Sequence, residues 1–277
     1  MNLTNEQLES YRRDGFVVLN GVFSEEEIDV LHAALAEDQR TPGPHLIMED
    51  DGVTLRAIYA SHLRHSVFRR LVRLDRLVVP AQQLAGDRAL YVHQLKVNDK
   101  RPFGGSHWAW HQDYIVWRNT DNLRAPALVN ACVFLDDVTE FNGPVVYLRG
   151  SHALGTVERT PNSQRRSAQH VDPDDYALSS TELISLLRGT EMVSAKGARG
   201  SVVLFHPEIV HGSAMNISPF ARKLLIVTYN PIANAPQRSS ASRPEYLVGR
   251  ATEPIVPEPG SLSARPGPDP RGEGACA

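Results

Sequence analysis

Three residues have the types and the spacing of a metal-binding set. His111 and Asp113 are separated by one residue, and His211 follows ninety-eight residues after Asp113 in the stretch FHPEIVHGSA. Side chains at positions i and i+2 of a β-strand point the same way, so one strand can present His111 and Asp113 to a single ion. Two imidazoles and one carboxylate on one face of an octahedral metal leave three positions open, as in the centres of non-haem Fe(II) oxygenases. We therefore predict that these three residues are the metal ligands and the catalytic centre.

A second set of polar residues suits an anionic ligand. Arg222 lies eleven residues after His211, at the entry to the apolar run KLLIVTY. A guanidinium directed into a protein interior needs an anion to offset its desolvation, and it binds carboxylates in a bidentate manner. The strand YVHQLKVN places three polar side chains on one face: Gln94, Lys96 and Asn98. They indicate a polar cavity wall, although a solvated outer face explains the same pattern.

The remaining histidines near this set are expected to have other roles. His107 and His206 lie close to the ligands in sequence, but a fourth ligand would occupy a position that the chemistry needs open. We expect both to be structural, and His152 to orient a loop by hydrogen bonding.

The elements that must position these residues show two sequence patterns, a helical one near the N-terminus and a series of short strands after it. Two helices are predicted near the N-terminus, one capped by Thr4 and ended by Gly15, the other capped by Ser24. A third is expected over 62–85, interrupted at Pro80. Short apolar runs separated by Gly, Pro and Asn then follow, among them ALYVHQLKVN, ALVNACVFL, GPVVYLRGS and GSVVLFH. The pattern predicts a mainly β fold with flanking helices, a sandwich or jelly roll.

Two segments stand apart from this strand series. Residues 156–196 are largely polar with a helix expected near 180–188, and so long an insertion is typical of a lid or binding loop. Residues 237–277 are rich in proline, and their end is expected to be disordered. We therefore predict one domain over 1–236, with a C-terminal extension.

Composition excludes several classes of protein. The net charge is −3 over 277 residues, with Lys and Arg scattered, which indicates neither a nucleic-acid surface nor a polybasic membrane contact. Cys132 and Cys276 are too few and too far apart for a disulfide framework. No stretch is long and apolar enough to span a membrane. We expect a cytoplasmic protein with a small-molecule partner and no obligate protein partner.

Several stretches resemble a known family. The runs HQD, TEFNGPVVYLRGSH and FHPEIVHGSAMNISPFAR are similar to those of the phytanoyl-CoA dioxygenase family of Fe(II)/2-oxoglutarate oxygenases. The resemblance implies a double-stranded β-helix of the cupin-like type, iron on His111, Asp113 and His211, and O2 as oxidant. It also implies that Arg222 binds the distal carboxylate of 2-oxoglutarate. The further cosubstrate contacts that we expect are Gln94, Lys96, Asn98 and Ser213.

Shorter runs narrow the resemblance to a substrate. The stretches GPHLIMEDDG, RAIYASH, WAWHQDYIVWRNTD and QHVDPDDY are similar to those of bacterial family members that hydroxylate L-leucine at carbon 5 for nonribosomal peptide synthesis. This implies hydroxylation of an unactivated C–H bond of a free aliphatic amino acid. Asp113 agrees, since a halogenase of this class would lack the carboxylate. The candidate substrate residues are Arg56, Tyr59, His62, Trp117, His170, Val171 and Arg243.

Other readings of the same residues remain open. The oxygenase could act on another small metabolite. The same three ligands could also serve a zinc hydrolase or a cupin-type isomerase, although neither class needs Arg222 at this spacing. A non-catalytic ligand-binding barrel is the third possibility, and intact metal ligands argue against it.

Overall fold

Two antiparallel β-sheets carry the residues predicted to bind the metal. The computed structural model describes residues 1–158, 173–237 and 243–263. Its strands are β1 (Phe16–Leu19), β2 (Leu46–Met48), β3 (Leu55–Tyr59), β4 (Leu90–Lys100), β5 (Trp108–His111), β6 (Val129–Phe134), β7 (Val145–Leu148), β8 (Met192–Ala195), β9 (Val202–Phe205), β10 (His211–Ser213) and β11 (Arg222–Pro231). The larger sheet has the order β1-β9-β6-β11-β4-β3-β2, and the smaller one has the order β5-β10-β7-β8. The predicted mainly β jelly roll, a double-stranded β-helix with flanking helices, is confirmed.

The helices lie mostly in the first third of the chain. They are α1 (Asn5–Asp14), α2 (Glu25–Asp38), α3 (Ser61–Arg64), α4 (Ser66–Leu71), α5 (Asp75–Ala85), α6 (Asp113–Asp121) and α7 (Ser180–Leu187). None of the helices in the described ranges has the length and apolar composition needed to cross a membrane. Both predicted N-terminal caps are present as capping boxes, Thr4 with Gln7 and Ser24 with Glu27. Gly15 ends α1 in the left-handed conformation at φ 83°, which only glycine adopts without strain.

The prediction of one helix over 62–85, interrupted at Pro80, was wrong in its detail. The segment forms α3, α4 and α5, and Pro80 lies buried inside α5. One break falls at His65, which is extended, and the other falls at residues 72–74, where neighbouring backbone groups bind distant partners. The hydroxyl of Tyr229 donates to the Val72 carbonyl at 2.9 Å, and the N–H of Asp75 donates to the Glu258 carbonyl at 2.9 Å. Tertiary hydrogen bonds therefore decide where the helix is divided.

The larger sheet buries both of its faces, each against a different layer. On the outer face, Ile28, Leu31, Phe68 and Leu77 pack from α2, α4 and α5. On the inner face, a second cluster joins the larger sheet to the smaller one, where Tyr147 stacks on Phe16 with ring centres 4.8 Å apart. The space between the sheets is therefore lined by side chains of both, and the predicted metal ligands lie there.

Parts of residues 156–196 and of the C-terminal segment pack against the two sheets and the helices. The helix expected near 180–188 is present as α7, and β8 pairs with β7, so the end of the 156–196 insertion belongs to the smaller sheet. In the C-terminal segment, Leu247 and Leu262 are buried, and the N–H of Leu262 donates to Glu27 at 2.8 Å. The packed chain thus continues past residue 236. The expected disorder of the final residues concerns positions outside the described ranges.

Candidate active site

Strand pairing brings the two histidines together. His111 on β5 and His211 on β10 are direct partners in the antiparallel register, and their ring centres lie 4.3 Å apart. Their side chains point to the same side because opposite residues of an antiparallel pair do so. Tyr147 on β7 pairs with His211 from the other side. The smaller sheet therefore presents both imidazoles to the space between the sheets.

Asp113 reaches the same point from a helix, contrary to the strand that we predicted for it. Strand β5 ends at His111, and Asp113 is the first residue of α6. Its Oδ1 lies 3.5 Å from Nε2 of His111, and its Oδ2 lies 3.9 Å from Nε2 of His211. The ligand atoms of the three residues all lie within 4.8 Å of one another. The change from strand to helix after His111 thus brings Asp113 close to the two histidines, as the continuous strand was expected to do.

Both imidazoles present the same nitrogen to this centre. Nδ1 of His111 lies 2.7 Å from the Ala109 carbonyl, and Nδ1 of His211 lies 3.0 Å from the Ile209 carbonyl. A carbonyl can only accept, so each Nδ1 carries a proton, and in the neutral form of each ring Nε2 is the nitrogen with the free lone pair. Such backbone bonds fix the tautomer and the ring orientation of histidine ligands.

The electrostatics of the three groups also suit a cation. Burial, and then the neighbouring His111, lowers the pKa of His211 to about 4, which keeps its imidazole neutral. Burial opposes ionisation of Asp113, but His211 and His111 outweigh it and hold the pKa of the carboxyl well below its usual range. Two imidazoles and one carboxylate, all buried, form a donor set that fits Fe(II).

One cavity joins this centre to the predicted cosubstrate residues. Its walls include the three ligands together with Lys96, Asn98, Ser213 and Arg222. Three buried polar atoms of the cavity have no hydrogen-bond partner in the described part of the chain: Oδ1 of Asn98, Oγ of Ser213 and Nε of Arg222. Unsatisfied buried polar atoms cost about 1–3 kcal/mol each, so their convergence indicates a polar ligand. Trp108, Val145, Phe205 and Ile226 supply apolar walls.

Arg222 is a buried cation without a carboxylate partner among the described residues. It is 1% exposed, and its Nη2 donates to the Gly143 carbonyl at 2.5 Å. Burial lowers its pKa to about 10, so the guanidinium stays charged at neutral pH. Arg222 is the first residue of β11, and its side chain points between the sheets to line the cavity. This is the environment that a bound carboxylate would complete.

Other predicted residues lie elsewhere. Gln94 shares the inward face of β4, but its amide donates to the Leu247 carbonyl at 2.8 Å and does not line the cavity. Trp117 packs with Tyr114 and Leu123 in a separate apolar cluster. His62 lies on α3, where burial lowers the pKa of its imidazole to about 4. These positions serve packing, and the structure does not bring them to the cavity.

The other candidate substrate residues do not line the cavity either, or lie outside the described residues. The Arg56 guanidinium stacks 4.0 Å over the Trp108 ring and pairs with Glu49 at 3.0 Å, so it supports a cavity wall from behind. Tyr59 packs against Leu247. His170 and Val171 lie outside the described residues.

Arg243 forms a bidentate ion pair with Asp121. Its Nε and Nη2 donate to the two carboxylate oxygens of Asp121, both at 2.7 Å. Asp121 ends α6, the helix that begins with Asp113. Arg243 therefore anchors the C-terminal segment to α6 and does not line the cavity, and its expected contact with substrate stays a prediction.

Two residues of the site were missed in the sequence. Asn130 donates to Oδ2 of Asp113 at 2.9 Å. Lys100 is buried beside Arg222, with its Nζ hydrogen-bonded to the Ala214 carbonyl. A signal for Lys100 was available, because it continues the alternation of Gln94, Lys96 and Asn98 by one more step. For Asn130, inside an apolar strand, the sequence offered only a polar residue at a core position.

The fold and the centre together define a non-haem iron oxygenase of the jelly-roll type, and comparison with known proteins gives its family. The model of the phytanoyl-CoA dioxygenase (PhyH) family matches residues 11–224, and the chain belongs to that family. Family membership decides in favour of the oxygenase over the zinc enzyme and the binding barrel.

Characterised relatives agree over nearly the whole chain. An L-proline trans-4-hydroxylase of Streptomyces griseoviridis is 37% identical, with 89% of this chain and 93% of the relative covered. An ectoine dioxygenase of Bordetella bronchiseptica is 33% identical, with 90% and 83% covered. The crystal structure of EctD from S. alaskensis with 2-oxoglutarate and 5-hydroxyectoine superimposes with a TM-score of 0.80 at 27% identity, covering 94% of this chain and 89% of that one. EctD has also been solved with bound Fe. The present chain is an Fe(II)- and 2-oxoglutarate-dependent dioxygenase.

Proposed function

We propose that this dioxygenase hydroxylates an unactivated C–H bond of a free amino acid. The observation that carries the proposal is the 37% identity to an L-proline trans-4-hydroxylase over 89% of the chain. L-Leucine, hydroxylated at carbon 5 as a building block for nonribosomal peptides, is the first candidate substrate, because of the motifs that resemble leucine hydroxylases. L-Proline is the second, favoured by that relative.

The assigned roles follow from the geometry of the cavity. His111, Asp113 and His211 would hold the iron, and Arg222 would bind the distal carboxylate of 2-oxoglutarate, with Asn98 and Ser213 as hydrogen-bond partners. The iron and 2-oxoglutarate supply the oxidising chemistry when O2 reacts with them, and 2-oxoglutarate is converted to succinate and CO2. The protein binds and orients the substrate and excludes water.

Lys96 gives the cavity a second cation for a substrate carboxylate or for the other end of 2-oxoglutarate. It lines the cavity, with its Nζ 5.6 Å from the centre of the Trp108 ring, and forms no ion pair with a described residue. Apolar walls at Val145, Phe205 and Ile226 suit an aliphatic side chain. A cation beside apolar surface is the combination that a small aliphatic amino acid needs.

The test is product analysis over a panel of free amino acids. The enzyme is loaded with Fe(II) and 2-oxoglutarate without O2, mixed with leucine, isoleucine, proline or ectoine, and exposed to O2. We expect one amino acid to gain one oxygen atom by mass spectrometry, with one succinate formed per hydroxylation. His211→Ala should form neither product, whereas His107→Ala, which changes an exposed side chain, should behave like the parent.

Each result discriminates among the candidates. Hydroxylation of proline in preference to leucine would replace the first candidate by the second. Oxidation of ectoine alone, or succinate formation without any amino-acid product, would contradict the amino-acid assignment.

A further inference from the structure

Two buried basic side chains lie side by side, and one of them, Arg222, lines the cavity. Arg222 on β11 and Lys100 on β4 are direct partners in the antiparallel register, so their side chains point to the same side. Each residue is 1% exposed. Neither has a salt bridge to a residue in the described ranges. Lys100 does not line the cavity, and the roles assigned above do not use it.

Lys100 and Arg222 bind the carbonyls of two residues, Ala214 and Gly143, whose backbones approach each other closely. Arg222 donates to the carbonyl of Gly143, and Lys100 Nζ donates to that of Ala214. Gly143 has φ 75°, and a Cβ there would lie 2.6 Å from the Ala214 oxygen and 3.1 Å from Cδ of Lys100. The Lys100 side chain thus fills the space where the two loops meet. Ala214 directly follows Ser213, whose hydroxyl lines the cavity.

We propose that Lys100 is a positioning residue of the 2-oxoglutarate site, which holds Ala214 against Gly143 and so fixes Ser213 and the Arg222 guanidinium toward the cosubstrate. This inference rests on the proposed assignment of Arg222 to the distal carboxylate. Loss of the Lys100 amine would leave the Ala214 carbonyl unsatisfied and free the loop that carries Ser213.

The charges around Lys100 give the proposal a second readout. Burial, then Arg222 on the neighbouring strand and Arg56 on β3, lower the pKa of Lys100 to about 6, and only Glu49 opposes them. The side chain is therefore mostly neutral near neutral pH, and a neutral amine still donates to a carbonyl. A carboxylate bound at Arg222 would offset nearby positive charge and favour protonation of Lys100. Binding of 2-oxoglutarate should then take up a proton.

The experiment measures 2-oxoglutarate binding by calorimetry on the full chain loaded with Mn(II). Lys100→Met keeps the length of the side chain and removes the amine. We expect its dissociation constant to rise about tenfold, close to 1.4 kcal/mol. Calorimetry in two buffers of different ionisation enthalpy should show proton uptake in the parent and less uptake in the variant.

Lys223→Met is the matched control. Lys223 is adjacent to Arg222 but pairs with Asp99 at 3.5 Å on the other face of the sheet, so the same substitution removes a lysine amine there without touching the two carbonyls. Its 2-oxoglutarate affinity and proton uptake should equal those of the parent.

The outcomes separate this proposal from a purely structural role. Unchanged 2-oxoglutarate affinity in Lys100→Met would overturn it, as would a loss of affinity that Mn(II) binding and the unfolding temperature follow in parallel. Arg222→Met tests the underlying site on its own. If Arg222→Met binds 2-oxoglutarate normally, the proposed role of Arg222 is wrong. If Arg222→Met binds 2-oxoglutarate weakly and Lys100→Met binds it normally, only the proposed role of Lys100 is wrong.

Discussion

The amide of Asn130 donates a 2.9 Å hydrogen bond to Oδ2 of Asp113, and the hydroxyl of Thr228 donates to Oδ1 of the same amide at 2.7 Å. Because Thr228 occupies the amide oxygen, the NH2 group of Asn130 is directed at the carboxylate. Asn130 and Thr228 are direct partners on β6 and β11, so the larger sheet orients a ligand that α6 supplies. The carboxylate is thus aligned before any metal binds.

Removing this alignment should weaken metal binding. We expect Asn130→Leu to lower the affinity for Mn(II) by about 10–100-fold, the range typical for groups that orient metal ligands. Thr228→Val removes only the bond that orients the amide, so its effect should be smaller. Titration of both variants with Mn(II) shows which substitution lowers the metal affinity more. Equal affinity in Asn130→Leu and the parent would show that Asp113 needs no orienting partner.

Loss of the Arg222 charge should act on the cosubstrate alone. In Arg222→Met we expect the apparent KM for 2-oxoglutarate to rise at least about tenfold, because a buried carboxylate would lose its charged partner. The KM for the amino acid should change little. Steady-state kinetics with each substrate varied in turn provide the measurement. A rise confined to the amino acid would move Arg222 to the substrate site.

The Arg243–Asp121 pair should prove structural. The two side chains are 8% and 1% exposed, and Arg243→Met would leave the Asp121 carboxylate buried without its bidentate partner. Breaking such a pair costs about 3–5 kcal/mol, which urea unfolding can measure. Arg243→Met combined with Asp121→Asn should recover part of the loss. If stability is kept and the amino-acid KM rises instead, Arg243 binds substrate after all.

Lys100 should make the free energy of unfolding depend on pH. Its pKa is about 6 in the folded protein and 10.5 as the ordinary value, so between these limits the unfolded chain binds the proton more readily. The free energy of unfolding therefore rises with pH through this window, by at most about 1.4 kcal/mol per unit for one proton. Lys100→Met lacks this contribution, and the stability of the parent relative to the variant should increase from pH 6 upward. A difference that is flat with pH would show that Lys100 is charged in the folded state.

The sequence was sufficient for the fold class and for the three residues that the structure brings together as a candidate metal centre. His111, Asp113 and His211 were recognisable because residue type and spacing alone restrict the chemistry. The helix that begins at Asp113 was not, since the H-x-D spacing fits a strand equally well and the local sequence does not show where β5 stops.

Residues whose role depends on distant pairing could not be assigned in advance. Asn130 and Thr228 are ninety-eight residues apart, and only the register of β6 on β11 makes them partners. The ion pair of Arg243 could not be foreseen for the same reason. A lone arginine near a proline-rich stretch gives no sign that its partner is Asp121, far earlier in the chain.

The contacts of the C-terminal segment also set an order for biosynthesis. Glu27 accepts the N–H of Leu262, and Asp121 accepts both donors of Arg243. A ribosome makes the acceptors first, so the nascent chain carries these carboxylates before their donors exist. Docking of residues 243–263 therefore completes the hydrogen bonding of a carboxylate on α2 and of one at the end of α6, so a chain that stops after β11 should unfold at a lower temperature.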